Sequence, residues 1–335
     1  MSQYESPEHL KAAASRGNIA AMTTLGQQMV AKPTSRKAFE DGQIFLKQAH
    51  EAGSGEAAQF IAIIHAAGLR GQQDWPKALD YLAEAALLGW EPASQQLAVF
   101  ADQMDKDGTW NASQADLIAL RKQIDIEALL RLPEKQILSQ NPRIRKCENF
   151  LPPRFCDWMI ARARPNLVRA RTYDATVADG RESESRTNSS VSFGLLELDL
   201  ILLLIQTRIS KLTDMPVFLM ENSSVLHYKV GQQFRPHHDY LDPNKPAHAA
   251  DIRRFGQRLA TCLVYLNDDF EGAETAFPKI SQKFRCQKGG ALLFANVDHQ
   301  GQPDPNTLHA GLPPISGEKW LFSQWIRTGP PPQSA

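Results

Sequence analysis

The chain has 335 residues, of which 42% are hydrophobic, and this length is sufficient for two domains with a substantial core. Lys and Arg total 37, as do Asp and Glu, so the formal net charge is zero. A balanced charge gives no electrostatic reason to expect a nucleic acid or an anionic membrane surface as a partner.

The N-terminal residues and the cysteines indicate the compartment. The first ten residues lack the basic and apolar stretches of a signal peptide, and the 4 cysteines contain no CxxC pair, as expected for reduced thiols. The longest apolar run, residues 195–205, contains Glu197 and Asp199 and is too short and too charged to span a membrane. We therefore predict a cytoplasmic protein in which this run forms a buried helix.

Residues 1–110 contain an internal repeat. Gly17, Gly53 and Gly89 recur every 36 residues, and an Ala follows each Gly by four positions. A period in this range predicts stacked helical hairpins, with each Gly ending a helix in a left-handed cap. The pattern resembles Sel1-like repeats, which are relatives of the tetratricopeptide repeat. An ordinary Ala-rich helical bundle is the alternative.

In the middle of the chain, the sequence pattern predicts a segment that connects the repeats to a second domain. Residues 113–130 have helical spacing, and the prolines and charges after them suit a linker, so 111–141 is predicted to be a connecting helix and linker. Within a second domain at 142–330, helices are predicted over 152–165 and 197–213.

Strand signals dominate the rest of the second domain. They occur in SSVLHYKV, RLATCLVYL, ALLFAN and KWLFSQWI, whereas residues 242–256 are predicted to be a polar loop. Because the helices precede the strands without alternating with them, we expect an antiparallel α+β domain or a barrel-like sandwich.

Three residues have the types that bind a catalytic metal ion. His237 and Asp239 lie two positions apart after a predicted strand, so they share a face, and His309 is a distant third candidate. Two imidazoles and one carboxylate with open positions form the ligand set of non-haem Fe(II) oxygenases. His-x-Asp alone is weak evidence, and a polar surface turn is the alternative.

Lys319, ten residues after His309, predicts an anion site. A lysine that enters a barrel core is costly unless it meets an anion, and the far carboxylate of 2-oxoglutarate is a good candidate. Tyr228 and Thr275 could donate hydroxyl hydrogen bonds to the same carboxylate, and Trp325 would wall the pocket. The alternative is an edge-strand lysine that faces solvent.

Taken together, these segments resemble the 2-oxoglutarate- and Fe(II)-dependent dioxygenases, and within them the prolyl 4-hydroxylase catalytic domain. The matching segments are Tyr228 with Gly231, His237-x-Asp239, Arg258 followed by TCLVYL, GAETAFP at 272–278, HAGLP from His309, and GEKW ending at Trp320. Their order and spacing follow the family pattern from about residue 142 to residue 328.

The resemblance implies a double-stranded β-helix, or jelly roll, as the fold of the second domain. The implied Fe(II) ligands are His237, Asp239 and His309, and the implied substrate residue is Arg258. The implied 2-oxoglutarate partners are Lys319, Tyr228 and Thr275, and Trp325 is added to this co-substrate site as the predicted wall of its pocket. The further implied cofactors are O2 and ascorbate. The implied partner is a peptide or protein substrate. Recruitment of that substrate and regulation of the enzyme are both open as roles of the helical repeats.

The activity implied is hydroxylation of a prolyl residue, with release of succinate and CO2. Phe234 stands where collagen-type relatives carry a Tyr, and because Phe cannot donate a hydrogen bond, another amino acid or a small metabolite is an alternative acceptor. A repeat scaffold with a degenerate oxygenase domain is a third hypothesis, against which the intact ligand set argues.

Overall fold

The computed structural model describes residues 7–69, 71–103, 114–172 and 181–330. Their contacts divide into two compact units. The first unit runs to Leu130 and includes Leu195–Leu204, and the second comprises Arg131–Gly194 and the chain from Ile205. Among the described residues, no helix has both the length and the apolar character needed to cross a membrane.

The first unit consists of helices that follow one another in pairs. They are α1 (Pro7–Ser15), α2 (Ile19–Ala31), α3 (Arg36–Glu51), α4 (Gly55–Ala67), α5 (Trp75–Leu87) and α6 (Glu91–Phe100), followed by α7 (Gln114–Gln123) and α8 (Ile126–Leu130). The second helices of the three pairs start 36 residues apart, as the repeat predicts. Gly17, Gly53 and Gly89 follow the first helices with φ of 83°, 98° and 82°, so the predicted left-handed caps are confirmed.

Small residues allow the paired helices to approach closely. A Cβ atom added to Gly26 would lie 2.7 Å from Leu46 Cγ, and one added to Gly42 would lie 2.8 Å from Met29 Cβ. These distances are too short for real Cβ contacts, so α2 and α3 pack at this spacing only because both positions are glycine.

The connection between the repeats and the second unit differs from the prediction in two places. The helix expected over 113–130 is divided into α7 and α8, because the Asp125 carboxylate accepts a hydrogen bond from Ala128 N and starts a new helix. Ser113 lies outside the described residues. The predicted linker contains a strand at Gln136–Gln140, paired with Arg143–Cys147. The predicted domain limits stay a prediction.

The second unit contains three helices and the strands of an antiparallel fold. The helices are α9 (Pro153–Ala163), α11 (Pro246–Phe255) and the part of α10 (Leu200–Thr213) that follows Leu204, because its first residues belong to the first unit. The strands are β1 (Gln136–Gln140), β2 (Arg143–Cys147), β3 (Val168–Arg169), β4 (Ser189–Phe193), β5 (Ser223–Tyr228), β6 (Phe234–His237), β7 (Arg258–Tyr265), β8 (Glu271–Gly272), β9 (Thr275–Phe277), β10 (Gln282–Phe284), β11 (Ala291–Ala295), β12 (His309–Gly311), β13 (Pro314–Ser316) and β14 (Lys319–Arg327).

The strands form two main sheets that enclose a core. The larger sheet has the order β1-β2-β11-β7-β14-β5-β4-β3, and the smaller has the order β10-β9-β12-β6. Phe277 of the smaller sheet packs against Phe294 of the larger sheet with ring centroids 5.2 Å apart, within one buried apolar cluster that includes Leu263 and Leu321. The predicted jelly-roll arrangement of antiparallel strands is therefore confirmed.

Two segments of this unit correct or refine the sequence expectations. The predicted polar loop at 242–256 is wrong in part, because Pro246–Phe255 is helical. Pro246 lies at its start, alanines favour the helical turns, and Gly256 ends it with a φ of 78°. The predicted helix at 197–213 begins at Leu200, because the Asp199 carboxylate accepts a hydrogen bond from Leu202 N and caps it.

Candidate active site

The smaller sheet brings the two predicted histidines together. His237 ends β6 and His309 begins β12, and the two residues are direct cross-strand partners. Asp239 follows β6 by two residues, and its carboxylate oxygens lie 3.6 Å from His237 Nε2 and 3.5 Å from His309 Nε2. The candidate ligand atoms of the three residues all lie within 4.8 Å of one another, so they could hold one metal ion.

Hydrogen bonds fix the tautomer of each imidazole. His237 Nδ1 donates to the carbonyl oxygen of Arg235 over 2.8 Å, and His309 Nδ1 donates to that of Thr307 over 2.9 Å. A carbonyl oxygen can only accept, so the proton of each neutral ring is on Nδ1. Each Nε2 therefore presents its lone pair toward the Asp239 carboxylate, as metal binding requires.

The carboxylate of the cluster is held by its own hydrogen-bond chain. Thr261 Oγ1 donates to Asp239 Oδ2 over 2.7 Å, and Asn296 Nδ2 donates to Thr261 Oγ1 over 3.0 Å. Burial by itself would raise the pKa of Asp239, but His309, His237 and Thr261 hold that pKa far below its usual range. Burial lowers the pKa of His309 to about 4. An ionised carboxylate and a neutral imidazole are the forms that bind metal ions.

Lys319 is a fully buried cation. It begins β14, which lies between β5 and β7, so the edge-strand alternative is wrong. Its Nζ donates to the carbonyl oxygen of Ala273 over 2.6 Å, and no carboxylate of the described residues lies within ion-pair distance. Burial lowers the pKa of Lys319 to about 7. A buried ammonium group without a counter-ion is costly, so this position fits the carboxylate of a bound ligand.

Hydroxyl groups surround the same position. Tyr228 is the cross-strand partner of Lys319, and burial raises its pKa to about 12. Its hydroxyl approaches Gly311, where an added Cβ would lie 3.2 Å away, and makes no hydrogen bond to the described residues. Thr275 Oγ1 lies 2.9 Å from the hydroxyl of Tyr265, which is 3.2 Å from the carbonyl oxygen of Phe284.

Tyr265 is a site residue that the sequence analysis did not single out. It lies within TCLVYL and is fully buried. A tyrosine in a buried strand needs a hydrogen-bond partner for its hydroxyl. This requirement could have indicated from the sequence that Tyr265 contacts a polar group inside the domain.

Arg258 and Trp325 form a stacked pair beside the metal cluster. The Arg258 guanidinium lies 3.5 Å from the centre of the Trp325 ring and donates to both carboxylate oxygens of Glu221, over 2.6 and 2.9 Å. Arg327 also donates to Glu221, over 2.6 Å. Burial by itself would raise the pKa of Glu221, but the two arginines lower it. Glu221 was not predicted, although a buried arginine demands a counter-ion.

Phe234, where the sequence departs from the family pattern, contacts a candidate ligand directly. Its ring stacks on His237 with centroids 3.5 Å apart and an interplanar angle of 16°. The Arg186 guanidinium lies 4.7 Å from the centre of the same Phe234 ring. Phe234 therefore supports the orientation of His237 through apolar stacking.

One cavity of about 540 Å³ is lined by all of the predicted site residues. The predicted residues that line it are Tyr228, His237, Asp239, Arg258, Thr275, His309, Lys319 and Trp325. The cavity thus presents a His-Asp-His metal cluster and a buried ammonium group to the same space. These groups fit Fe(II) together with a dicarboxylate co-substrate.

Comparisons with known proteins match the second unit. Residues 223–327 match the 2OG-Fe(II) oxygenase superfamily. Prolyl 4-hydroxylase 1 of Arabidopsis thaliana is 35% identical over 206 residues, which cover 57% of this chain and 71% of that protein. Probable prolyl 4-hydroxylase 3 of the same plant is 33% identical over 213 residues, which cover 58% and 72%.

A solved structure is also similar to this part of the chain. The viral collagen prolyl hydroxylase from Paramecium Bursaria Chlorella virus-1 has 29% sequence identity and a TM-score of 0.43. The match covers 55% of this chain and 95% of the viral one.

Proposed function

The chain belongs to the prolyl 4-hydroxylase family of Fe(II)- and 2-oxoglutarate-dependent dioxygenases, and we propose that it hydroxylates a prolyl residue in a peptide or protein. The observation that carries this proposal is the single cavity in which His237, Asp239 and His309 face the same space as the buried, unpaired Lys319. Metal ion and anion can then bind side by side.

We assign the metal-binding role to the Nε2 atoms of His237 and His309 and to the Asp239 carboxylate. When bound there, Fe(II) with 2-oxoglutarate and O2 supplies the oxidation of a C–H bond to C–OH, while the co-substrate is converted to succinate and CO2. The protein keeps each imidazole in its Nδ1–H tautomer through Arg235 and Thr307. Thr261 keeps the Asp239 carboxylate in place.

Lys319 binds the far carboxylate of 2-oxoglutarate in this proposal, and the Tyr228 hydroxyl donates a hydrogen bond to it. The Tyr265 hydroxyl has one proton, which it can give to the Phe284 carbonyl oxygen or to Thr275; in the second arrangement the Thr275 hydroxyl hydrogen is available for the same carboxylate. The anion stabilises the protonated form of Lys319, which burial alone disfavours.

The remaining walls of the cavity position the substrate and limit water. Leu263 and Leu321 are buried residues that give the cavity apolar surface. Arg258 is held against Trp325 by Glu221, and it retains N–H groups that can donate to a peptide carbonyl oxygen. Positioning of the target C–H bond is the main task of these residues.

Three further roles complete the proposal. Ascorbate supports repeated turnover as the external reductant, and the helical repeats recruit the protein substrate. We place the protein in the cytoplasm, where its buried, free cysteines would stay reduced.

The test uses the purified chain with Fe(II), ascorbate, O2 and 2-oxoglutarate, with and without a proline-rich peptide. Peptide-stimulated succinate, together with a peptide heavier by one oxygen atom, is the expected result. Stimulation by free proline or another small molecule, and none by peptides, would instead support the alternative acceptor that Phe234 suggested. Absence of iron binding and turnover would favour a repeat scaffold.

A further inference from the structure

The cavity also carries arginines that the proposed reaction does not use. Arg169 and Arg171 lie two positions apart on the extended segment that includes β3, the last strand of the larger sheet. Ala170 between them is buried, so the two arginines share the opposite face, and both line the cavity. Arg186 lines it as well.

These three guanidinium groups are barely neutralised by the described residues. The ion pair of Arg169 is with Glu184, at 3.8 Å, and Glu184 is 90% exposed, so this pair is weak. Arg169 Nε is buried without a hydrogen-bond partner. Arg186 donates to the Arg171 carbonyl oxygen over 2.9 Å and to Asn188 over 3.2 Å, neither of which carries a charge.

The other cations of the cavity already have partners in the proposed reaction. Arg258 is paired with Glu221, and Lys319 is assigned to 2-oxoglutarate. Fe(II) and Lys319 carry three positive charges, and Asp239 with the two carboxylates of 2-oxoglutarate carries three negative charges. The loaded centre is therefore formally neutral. Asp239 is the one carboxylate among the described residues that line the cavity, so the arginines stay in excess.

The wall beside these arginines contains several hydroxyl groups as well as apolar side chains such as Val191. Serines of three neighbouring strands line it, namely Ser190, Ser192, Ser224 and Ser323. Ser192 and Ser224 are hydrogen-bonded to each other over 2.8 Å. Hydroxyl groups beside uncompensated arginines suit a polar, negatively charged chain better than an apolar one.

We propose that the preferred substrate is an acidic peptide, with Asp or Glu within a few residues of the target proline and with those carboxylates bound by Arg169 and Arg171. This inference rests on the proposed function, because it places the proline at the metal cluster of the same cavity. Arginine forms paired hydrogen bonds to carboxylates. Two arginines on one face can therefore each bind one acidic side chain, or both can bind the same one.

The first test compares three peptides that differ only beside the proline, where they carry Asp, Asn or Lys. We expect kcat/KM for peptide-dependent succinate formation to be about fivefold higher with the Asp peptide than with the Asn peptide, and lowest with the Lys peptide. The difference is modest because a partly exposed ion pair between an arginine and the peptide carboxylate contributes little to the binding free energy. The preference should shrink at high salt, because exposed charges are screened. Equal use of the Asp and Asn peptides would overturn the inference.

Variants assign the preference to these residues. In the double variant Arg169→Gln, Arg171→Gln, the Asp and Asn peptides should become equivalent through a rise in KM for the Asp peptide, with kcat and the KM for 2-oxoglutarate unchanged. Arg171→Glu should shift the preference toward the Lys peptide, and Arg171→Lys should retain most of the preference for Asp. The control is Arg253→Gln, at an exposed arginine of α11 that does not line the cavity. A double variant that still prefers the Asp peptide would contradict the proposal.

Binding separates failure of this inference from failure of the proposed function. The affinity of the three fluorescently labelled peptides is measured with protein loaded with Fe(II) and 2-oxoglutarate, without O2. Tighter binding of the Asp peptide supports the acidic preference, whether or not any peptide is oxidised. If the Asp peptide binds more tightly but no peptide is oxidised, the prolyl hydroxylase function is refuted and the acidic preference is not. Equal binding refutes the preference, whatever the turnover.

Discussion

The helical unit is built from contacts between neighbouring repeats, whereas the sheet unit joins residues that are far apart in the chain. In the helices, Thr23 hydrogen-bonds to Ser54 across 31 positions, close to one repeat length. In the sheets, Glu221 pairs with Arg327 across 106 positions. The packing of the helical unit therefore depends on neighbouring repeats, whereas the cavity depends on residues that the sheets bring together from distant parts of the chain.

The two units also differ in how they use buried charge. Small and apolar residues pack the helices, with Ala21, Ala57 and Ala93 fully buried at matched positions of the repeat. The sheet unit instead buries Asp239 and Lys319, and the latter has no counter-ion among the described residues. Unpaired buried charge costs stability, so it marks a position shaped for binding.

The largest expected effect is the loss of a metal ligand. His237→Ala should lower iron affinity by more than about a hundredfold and abolish succinate formation, since even the loss of an outer partner of a ligand costs 10–100-fold. Iron content and succinate are the measurements. His299→Ala, at an exposed histidine, is the matched control. Unimpaired turnover of His237→Ala would remove His237 from the proposed ligand set.

The next largest effect is expected at the buried lysine. Lys319→Ala should raise the apparent KM for 2-oxoglutarate by roughly 30-fold or more, because removing one partner of a buried charge pair costs several kcal/mol. The exposed Lys279 provides the control variant Lys279→Ala. An unchanged KM for 2-oxoglutarate in Lys319→Ala would refute the anion site.

A substitution in the helical unit should affect stability and leave the site intact. Gly42→Val would force the new side chain against Met29 Cβ and the Gly26 carbonyl oxygen, so we expect a loss of about 2 kcal/mol in the free energy of unfolding. Thermal or denaturant unfolding measures it. Gly71→Ala, where an added Cβ meets no atom within 4 Å, is the control. A changed KM for 2-oxoglutarate in folded Gly42→Val would contradict the assignment of co-substrate binding to residues of the sheet unit alone.

The smallest effect is a pH dependence of co-substrate affinity. Burial lowers the pKa of free Lys319 to about 7, and a bound carboxylate would raise it. Binding therefore takes up a proton above that pKa, and the affinity for 2-oxoglutarate should fall about fivefold from pH 7 to pH 8. In Lys319→Arg, whose guanidinium stays charged, this dependence should vanish. An affinity for 2-oxoglutarate that rises between pH 7 and pH 8 would contradict this prediction.

The sequence predicted the cavity better than it predicted the surrounding structure. Spacing and family resemblance identified residues as far apart in the sequence as Tyr228 and Lys319, because each lies in a segment that follows the family pattern. Tyr265 and Glu221 escaped because their partners, Thr275 for the first and Arg258 and Arg327 for the second, are distant in the sequence. The need for a partner could be inferred from the sequence, but the identity of the partner could not. Helix α11 was mistaken for a loop because the polar segment 242–245, which includes Pro243, precedes it, and its helical propensity and Pro start were given too little weight.

The most direct test of the central claim is tandem mass spectrometry of a proline-containing peptide after turnover under isotopically labelled O2. The account predicts one labelled oxygen atom on the prolyl ring, in an amount matched by succinate, and none with the His237→Ala variant. Label on a residue other than proline, or succinate without any labelled peptide, would contradict the prolyl hydroxylase assignment.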